Sequence, residues 1–286
     1  MEYDAFQTNP IALAIDALHT SSFQRGLGNP LLVSPTTPHH AHQVADYAKQ
    51  VYTKSNLVIV ASGAAADELK PHLGEFWNDL PIGTSLKSSP SKFVGGETRI
   101  SHSSSQNVYA IAFPGSALYG TNVAAELVVL SHLLGGPSPI KWSKGHNLYA
   151  KLGAGISPYV NLFATNIAYS DAGLFTILIS GSAADVTKAA PAALKTLRDI
   201  AKGSHAVKAE DVKRAIASAR YATYAATEAR LSGLEPIGQS VLDTGKVVDL
   251  DSVVTAFDKV TPDTIKKVPF SSMVFTNSGC CEVGGG

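Results

Sequence analysis

The stretch YVNLFATNIAYSDAGLFTILISGS, residues 159–182, constrains the fold of this chain more than any other segment. Two runs of mostly β-branched, aromatic and aliphatic residues flank the turn-forming sequence Ser170-Asp171-Ala172-Gly173. Two such runs joined by a short turn predict a β-hairpin. The fold must therefore contain a β-sheet.

Further strands and helices alternate around this hairpin. Apolar runs predict two strands in ETRISHSSSQNVYAIAFPGSA, a buried strand in NLVIVASG and a last short strand in MVFTNSG. Pro71 and Gly74 predict an irregular helix, and Pro191 a kinked or delayed one. Apolar residues at helical spacing predict a short helix from about His146 and longer helices at 10–24, 38–56, 65–80, 121–135, 184–202, 208–230, 233–244, 249–258 and 261–267.

Residues 81–96, PIGTSLKSSPSKFVGG, have the composition of a linker. We therefore expect one domain over residues 1–80 and a second over 97–286. Residues 28–63 and 238–279 each contain an apolar-Gly turn, an amphipathic helical stretch and an apolar strand ending in Ser-Gly. This similarity predicts two copies of one α/β unit, with chance similarity as the alternative. If the two copies have equal length, the first copy lacks roughly 114 residues of its front half. We therefore expect a chain truncated at its N-terminus.

The composition excludes several classes of function. Lys plus Arg equals Asp plus Glu at 23 each, so no net charge attracts nucleic acid or acidic lipid. No run of about 18 apolar residues predicts a membrane span, and the start MEYDAF is not a targeting segment. The adjacent Cys280 and Cys281 are expected to be free thiols, because a disulfide between neighbours is strained.

The only histidine cluster, His39, His40 and His42, is a weak candidate for a zinc site. His42 and Asp46 have ligand spacing, but the other two precede the helix, so we interpret the cluster as a solvated helix start. The motifs H-E-x-x-H and H-x-x-E-H do not occur in the sequence. The isolated histidines with no acidic neighbour at ligand spacing are His19, His102, His132 and His146.

Motifs for a catalytic nucleophile or for nucleotide binding are also absent or incomplete. The sequence has no G-x-S-x-G, and GAGISP and TGKVV lack the glycines that phosphate loops require. The loop in LSHLLGGPSPIKWSKGHNLYAKLGAG offers Lys141, Trp142, Lys144 and His146 to an anion. Its prolines provide no backbone amides, so a phosphate site is not expected. The residues therefore assign no catalytic, cofactor-binding or metal-ligating side chain.

Four segments together resemble one family. ALHTSSFQRGLGNPLL resembles the LH…aF…LG.PlL signature of the mitochondrial processing peptidase and pitrilysin family, and YAKQVYTKSNLVIVASGAAADEL resembles its next helix, strand and helix. AIAFPGSALYGTNVAAELVVLSHLLGG through LYAKL is similar to the start of the family's C-terminal domain, and AEDVKRAIASARYATYAATEA to its long helix. The resemblance covers nearly the whole chain and fades after Ser278.

The resemblance implies an α+β fold of two homologous sheet-plus-helices domains, a metallopeptidase-like α/β sandwich with the first domain incomplete. Residues 1–80 would be the C-terminal half of that first domain. The family's inverted zinc motif and its later Glu ligand would lie upstream of residue 1, so no site residue carries over. These 286 residues alone are therefore expected to be unstable or to aggregate.

Within the family, HLLGGPSPIKWSKGHNLYAKL is most similar to the non-catalytic core proteins of mitochondrial ubiquinol–cytochrome c reductase. This implies a structural subunit, not an enzyme, on the matrix side of the inner membrane. The implied partners are core protein 1, cytochrome b, cytochrome c1 and the Rieske subunit, which would hold the haem and iron–sulfur cofactors in a homodimeric complex. The alternatives are a presequence-binding α-type peptidase subunit, or a zinc peptidase with its motif outside this sequence.

Overall fold

The computed structural model describes residues 2–86, 89–117, 124–137, 145–228, 233–268 and 279–284. The chain forms two compact units, each discontinuous in sequence. Unit 1 comprises Met1–Val33, Pro90–Tyr221 and Val253–Gly286, and unit 2 comprises Ser34–Ser89 and Ala222–Ser252. The division into domains 1–80 and 97–286 stays a prediction.

Unit 1 contains a five-stranded sheet of order β1-β5-β2-β4-β3. Strands β1 and β5 pair in parallel, and the other neighbours are antiparallel. The predicted hairpin is confirmed as β3 and β4, and its turn is closed by the Tyr169 N–H donating to Ala172 O over 2.8 Å. The strands are β1 Gly96–Ser101, β2 Asn107–Pro114, β3 Asn161–Ala168, β4 Gly173–Gly181 and β5 Gly279–Gly284.

The predicted helices are present where the chain is described. Asn9 and Ser182 begin two of them, each accepting a hydrogen bond from a backbone N–H of the first turn. Pro71 and Pro191 lie inside continuous helices, so neither delays a helix start. The helices are α1 Glu2–Gln7, α2 Pro10–Phe23, α3 Ala41–Val51, α4 Ala66–Asp79, α5 Ala124–Leu134, α6 Leu148–Ile156, α7 Ala183–Ala201, α8 Ala209–Glu228, α9 Leu234–Thr244, α10 Leu250–Phe257 and α11 Pro262–Lys266.

Both faces of the sheet are covered by helices. Because successive residues of a strand point to opposite faces, β2 contributes Ala110 and Ala112 to one core and Ile111 and Phe113 to the other. On the first face, α2 packs with Leu13, Ala14, Leu18 and Phe23. The larger core on the second face includes residues of six helices: Leu130 and Leu134 of α5, Tyr149 of α6, Leu197 and Ile200 of α7, Val212 of α8, Phe257 of α10 and Ile265 of α11.

Unit 2 contains α3, α4, α9 and the last turns of α8. The strand predicted at NLVIVASG is wrong: residues 57–61 are neither helix nor strand, and none of them is fully buried. A strand needs a neighbour for its backbone groups, and no described residue pairs with this segment. Apolar composition alone therefore predicted the wrong secondary structure for this segment.

The two copies of the proposed internal repeat differ in structure at their first glycine. Gly28 ends a short 3-10 helix, Gly26–Gly28, whereas Gly238 lies inside α9. The predicted last strand, MVFTNSG, lies outside the described residues except for Gly279. Gly279 instead begins β5, formed by the tail GCCEVG, in which Cys280 is in register with Ile111 of β2.

Candidate functional site

A small cleft lies beside the loop that follows α5. It has a volume of about 210 Å³ and is bounded by the end of α5, the start of α6 and one face of α8. Of the side chains predicted to contact an anion, His146 lies in the cleft wall, whereas Lys141, Trp142 and Lys144 lie outside the described residues. The other polar side chains of the wall are those of His132, Asn147, Asp211, Arg214 and Ser218.

Helical spacing brings the side chains of α8 into the cleft. Asp211, Arg214, Ala215 and Ser218 follow one another at intervals of three, one and three residues, which places them on one face of a helix. The start of α6 forms another side of the cleft, and Asn147 determines where that helix begins. Its Oδ1 accepts a 2.7 Å hydrogen bond from the Ala150 N–H, as an N-terminal capping residue does.

His132 and Ser218 form the polar contact across the cleft. His132 Nδ1 lies 3.0 Å from Ser218 Oγ, within hydrogen-bond distance. Burial lowers the pKa of His132 below its ordinary value of 6.5, because the charged imidazolium loses hydration. A side chain at Gly136 would place its Cβ 2.9 Å from His132 Cα, so glycine is required beside this histidine.

Among the described residues of the wall, Arg214 is the one cation apart from the histidines, and its charge is already neutralised. Its guanidinium donates to Glu210 Oε1 over 3.1 Å and to Asp211 Oδ1. An incoming phosphate or carboxylate would have to compete with two carboxylates for the same donors. The cleft therefore suits a neutral or weakly polar group better than an anion.

The other histidines singled out in the sequence have structural partners. His19 Nδ1 donates to Ile15 O over 2.7 Å, because a carbonyl oxygen only accepts, and His19 Nε2 lies 2.6 Å from Tyr169 Oη. His102 Nε2 likewise donates to Gln7 O over 2.8 Å, and its Nδ1 accepts from the Ser104 N–H.

The His39-His40-Ala41-His42 cluster lies at the start of α3. The rings of His40 and His42 stack with centroids 5.6 Å apart, and the His40 N–H donates to Gln43 Oε1 over 3.2 Å. Within the described parts of the chain, no three His, Cys, Asp or Glu side chains come together as a metal site would require. The assignment of no site residue stays a prediction.

Sequence reasoning missed Asp211, Arg214 and Ser218 as members of one site. They are separated from His132 by about eighty residues, and no motif joins them. Their helical spacing in the sequence predicts that they share one face of α8. It does not predict that this face packs beside α5.

Fold and sequence comparisons agree on the class of protein. Residues 40–219 match the family described as the peptidase M16 inactive domain, and the chain belongs to that family. This confirms the family resemblance read from the four sequence segments. Over 99% of the chain, the fold is also similar, at a TM-score of 0.85 and 18% identity, to 69% of a chain in the structure titled "Complex III2 from Candida albicans, Inz-5 bound".

Within this family, the chain is similar to two kinds of mitochondrial subunit. The chain is 38% identical over 261 residues to the mitochondrial cytochrome b-c1 complex subunit 2 of Neurospora crassa, covering 89% of this chain and 56% of the relative. The Schizosaccharomyces pombe subunit 2 is 30% identical over 99% of this chain and 64% of its own length. The mitochondrial-processing peptidase subunit alpha-2 of Dictyostelium discoideum is 28% identical over 93% and 60%. The chain thus spans less than two thirds of each relative.

Among the described residues, no helix has the length and apolar content needed to cross a lipid bilayer.

Proposed function

We propose that this chain is a non-catalytic structural core subunit of the mitochondrial ubiquinol–cytochrome c reductase complex, corresponding to its core protein 2. The observation that carries the proposal is the 38% identity to a cytochrome b-c1 complex subunit 2 over 89% of the chain. Processing-peptidase α subunits match at lower identity, 28% for the Dictyostelium discoideum relative.

The chemistry of the cleft supports a structural role. Arg214 is paired with two carboxylates, and burial lowers the pKa of His132. Large apolar side chains that remain exposed, such as Val44 and Tyr47, suit a subunit with extensive permanent interfaces. A scaffold needs such surfaces and does not need a reactive group.

The proposed partners are core protein 1, cytochrome b, cytochrome c1 and the Rieske subunit, within a dimeric complex. On this proposal the haem and iron–sulfur centres belong to the partners, and no residue of this chain binds a cofactor or metal or acts in catalysis. The subunit is peripheral, on the matrix side of the inner mitochondrial membrane, and attaches to the membrane through protein contacts.

The second candidate function is that of an α-type, presequence-binding subunit of a processing peptidase. It is supported by the 28% identity to the mitochondrial-processing peptidase subunit alpha-2 of Dictyostelium discoideum over 93% of this chain. The prolines of the loop between α5 and α6 disfavour it, because a long, flexible, glycine-rich loop would suit presequence binding better. A zinc peptidase with its motif outside these 286 residues is the third candidate.

The proposal is tested by resolving mitochondria that contain the endogenous protein on a native gel and identifying what migrates with it. Migration with cytochrome b and cytochrome c1 in one large membrane complex is the expected result. Migration as a soluble pair with a zinc-containing partner would replace the structural proposal by the peptidase one. A matched control is cytochrome c1 itself, followed in the same lane, which reports whether the complex survived extraction.

A further inference from the structure

Strand β1 forms one end of the sheet of unit 1. Among the described residues, β5 is its one neighbour in the sheet. The His102 N–H, directly after β1, donates to Gly284 O of β5 over 2.8 Å. Because the backbone groups of successive residues in a strand point to opposite sides, those of Glu97, Arg99 and Ser101 point away from β5. An edge of this kind is a template for pairing with another strand.

Two opposite charges lie on this edge. Glu97 and Arg99 are two positions apart in β1, so their side chains share one face of the sheet. They are 59% and 74% exposed. Arg99 Nε donates to Glu97 Oε1 over 2.8 Å and lies 3.9 Å from Glu282 Oε2 of β5. Because exposed ion pairs contribute little to stability, these side chains can exchange partners readily.

The other face of β1 belongs to the core that includes α2. Thr98 and Ile100 are half-buried, and Ile100 packs against that core. A strand added at the edge has to keep this alternation, because a shift of one residue would move its charged side chains to the α2 side. The faces of β1 therefore limit the registers in which another strand can pair with it.

From the exposed edge and its charges we infer that β1 pairs with β1 of a second copy of this chain. The two strands are antiparallel and centred on Thr98. In this register Glu97 of each copy lies opposite Arg99 of the other, which makes two pairs of opposite charge. Since the backbone groups of both residues point to the edge, each opposed couple also exchanges two main-chain hydrogen bonds.

Charge selects this register among those that keep the faces aligned. Centring the pair on Arg99 would place two arginines opposite each other, and centring it on Ile100 would place Arg99 opposite Ser101. With Thr98 at the centre, one patch serves both copies, as a two-fold contact requires. A second copy is thus an occupant whose charges match those of β1. The inference does not depend on the proposed function, because it concerns only the contact between two copies of this chain.

Charge reversal in the full 286-residue chain tests the pairing. Glu97→Arg leaves two positive charges on each strand and Arg99→Glu leaves two negative ones, so each variant alone opposes like charges. We expect either change to weaken self-association at least about tenfold, measured by sedimentation equilibrium. When the two variants are mixed, positive strands meet negative ones, and association should return to within about threefold of the unmodified chain.

A third variant is the matched control. Lys49→Glu reverses one charge of another exposed ion pair, that with Asp46 in α3, and should leave self-association unchanged. Unchanged hydrogen exchange in β4 of every variant verifies that unit 1 remains folded.

Hydrogen exchange also locates the contact within β1. In the associated chain, the Glu97 amide is expected to exchange at least about tenfold more slowly than in the dilute monomer. The Thr98 amide points toward β5 by the same alternation, so its exchange rate should not change.

Three results would overturn the inference. The first is a chain that stays monomeric up to about 100 μM. The second is association that both single variants retain, whether as dimers or as larger aggregates. The third is a mixture of the two variants that associates no more strongly than either variant alone.

Discussion

At the scale of single residues, His132 shows how burial changes a side chain's chemistry. Its imidazole is packed against Gly136 and lies within hydrogen-bond distance of Ser218, and burial lowers its pKa. The histidine therefore favours the neutral form in the folded chain, where its role is to join α5 to α8.

The lowered pKa predicts how stability depends on pH. Above pH 7, His132 is neutral in both the folded and unfolded states, so it contributes no pH dependence. Below about 6.5 the unfolded state binds the proton more tightly, and the free energy of unfolding falls by up to about 1.4 kcal/mol per pH unit until the folded pKa is reached. His132→Gln should reduce this slope, measured by urea unfolding between pH 5 and pH 7.5.

The control for that measurement is His39→Gln, at an exposed position before α3. It should leave the slope unchanged. A wild-type slope retained in His132→Gln would show that another group is responsible for the loss of stability in acid.

At the scale of elements, a partly buried hydrogen bond fixes α2 against the hairpin. Because the His19 Nδ1 proton is donated to Ile15, Nε2 accepts the 2.6 Å hydrogen bond from the Tyr169 hydroxyl at the hairpin turn. The two rings also meet edge to face, with centroids 5.7 Å apart. This contact holds a helix from the first 33 residues on a sheet formed mainly by residues 96–181.

Removing that hydroxyl tests the link. Tyr169→Phe keeps the ring but leaves His19 Nε2 without its donor, so the free energy of unfolding should fall by about 1–3 kcal/mol. Tyr159→Phe, at a tyrosine that is 81% exposed, should change it by less than about 0.5 kcal/mol. Hydrogen exchange of the β4 amides in both variants measures the difference, and equal protection would contradict the role given to His19.

At the scale of the whole molecule, burial is distributed unequally between the two units. Unit 1 has apolar cores on both faces of its sheet, whereas unit 2 has no fully buried hydrophobic side chain in the part of the chain that the structure describes. Since burial of apolar surface is the main stabilising contribution, the units should differ in local stability.

Two helices of 11 residues allow a matched comparison. We expect the amides of α3, which has no buried residue, to exchange roughly a hundredfold or more faster than those of α5, whose Leu130 and Leu134 are fully buried. Native-state hydrogen exchange of the free chain measures both helices in one sample. Equal protection would mean that unit 2 has a stabilising contact beyond those seen here.

Sequence reasoning found most local elements because their causes are local. The hairpin follows from two apolar runs around Ser170-Asp171-Ala172-Gly173, and α2 and α7 follow from apolar periodicity. The structure adds their capping residues, Asn9 and Ser182. Each depends on neighbours within a few positions, which the sequence shows directly. The family resemblance was likewise readable from contiguous segments.

Pairing and packing between distant residues were decided only by the tertiary structure. Residues 57–61 have the composition of a strand yet remain unpaired, while the tail GCCEVG forms β5 between β1 and β2. His132 meets Ser218 only because α5 and α8 pack together. The sequence by itself thus determined which segments become helices and hairpins, because those depend on local periodicity and turn residues. The tertiary structure decided the sheet order, the cleft and the unpaired state of residues 57–61, because a strand exists only when a distant segment supplies its hydrogen bonds.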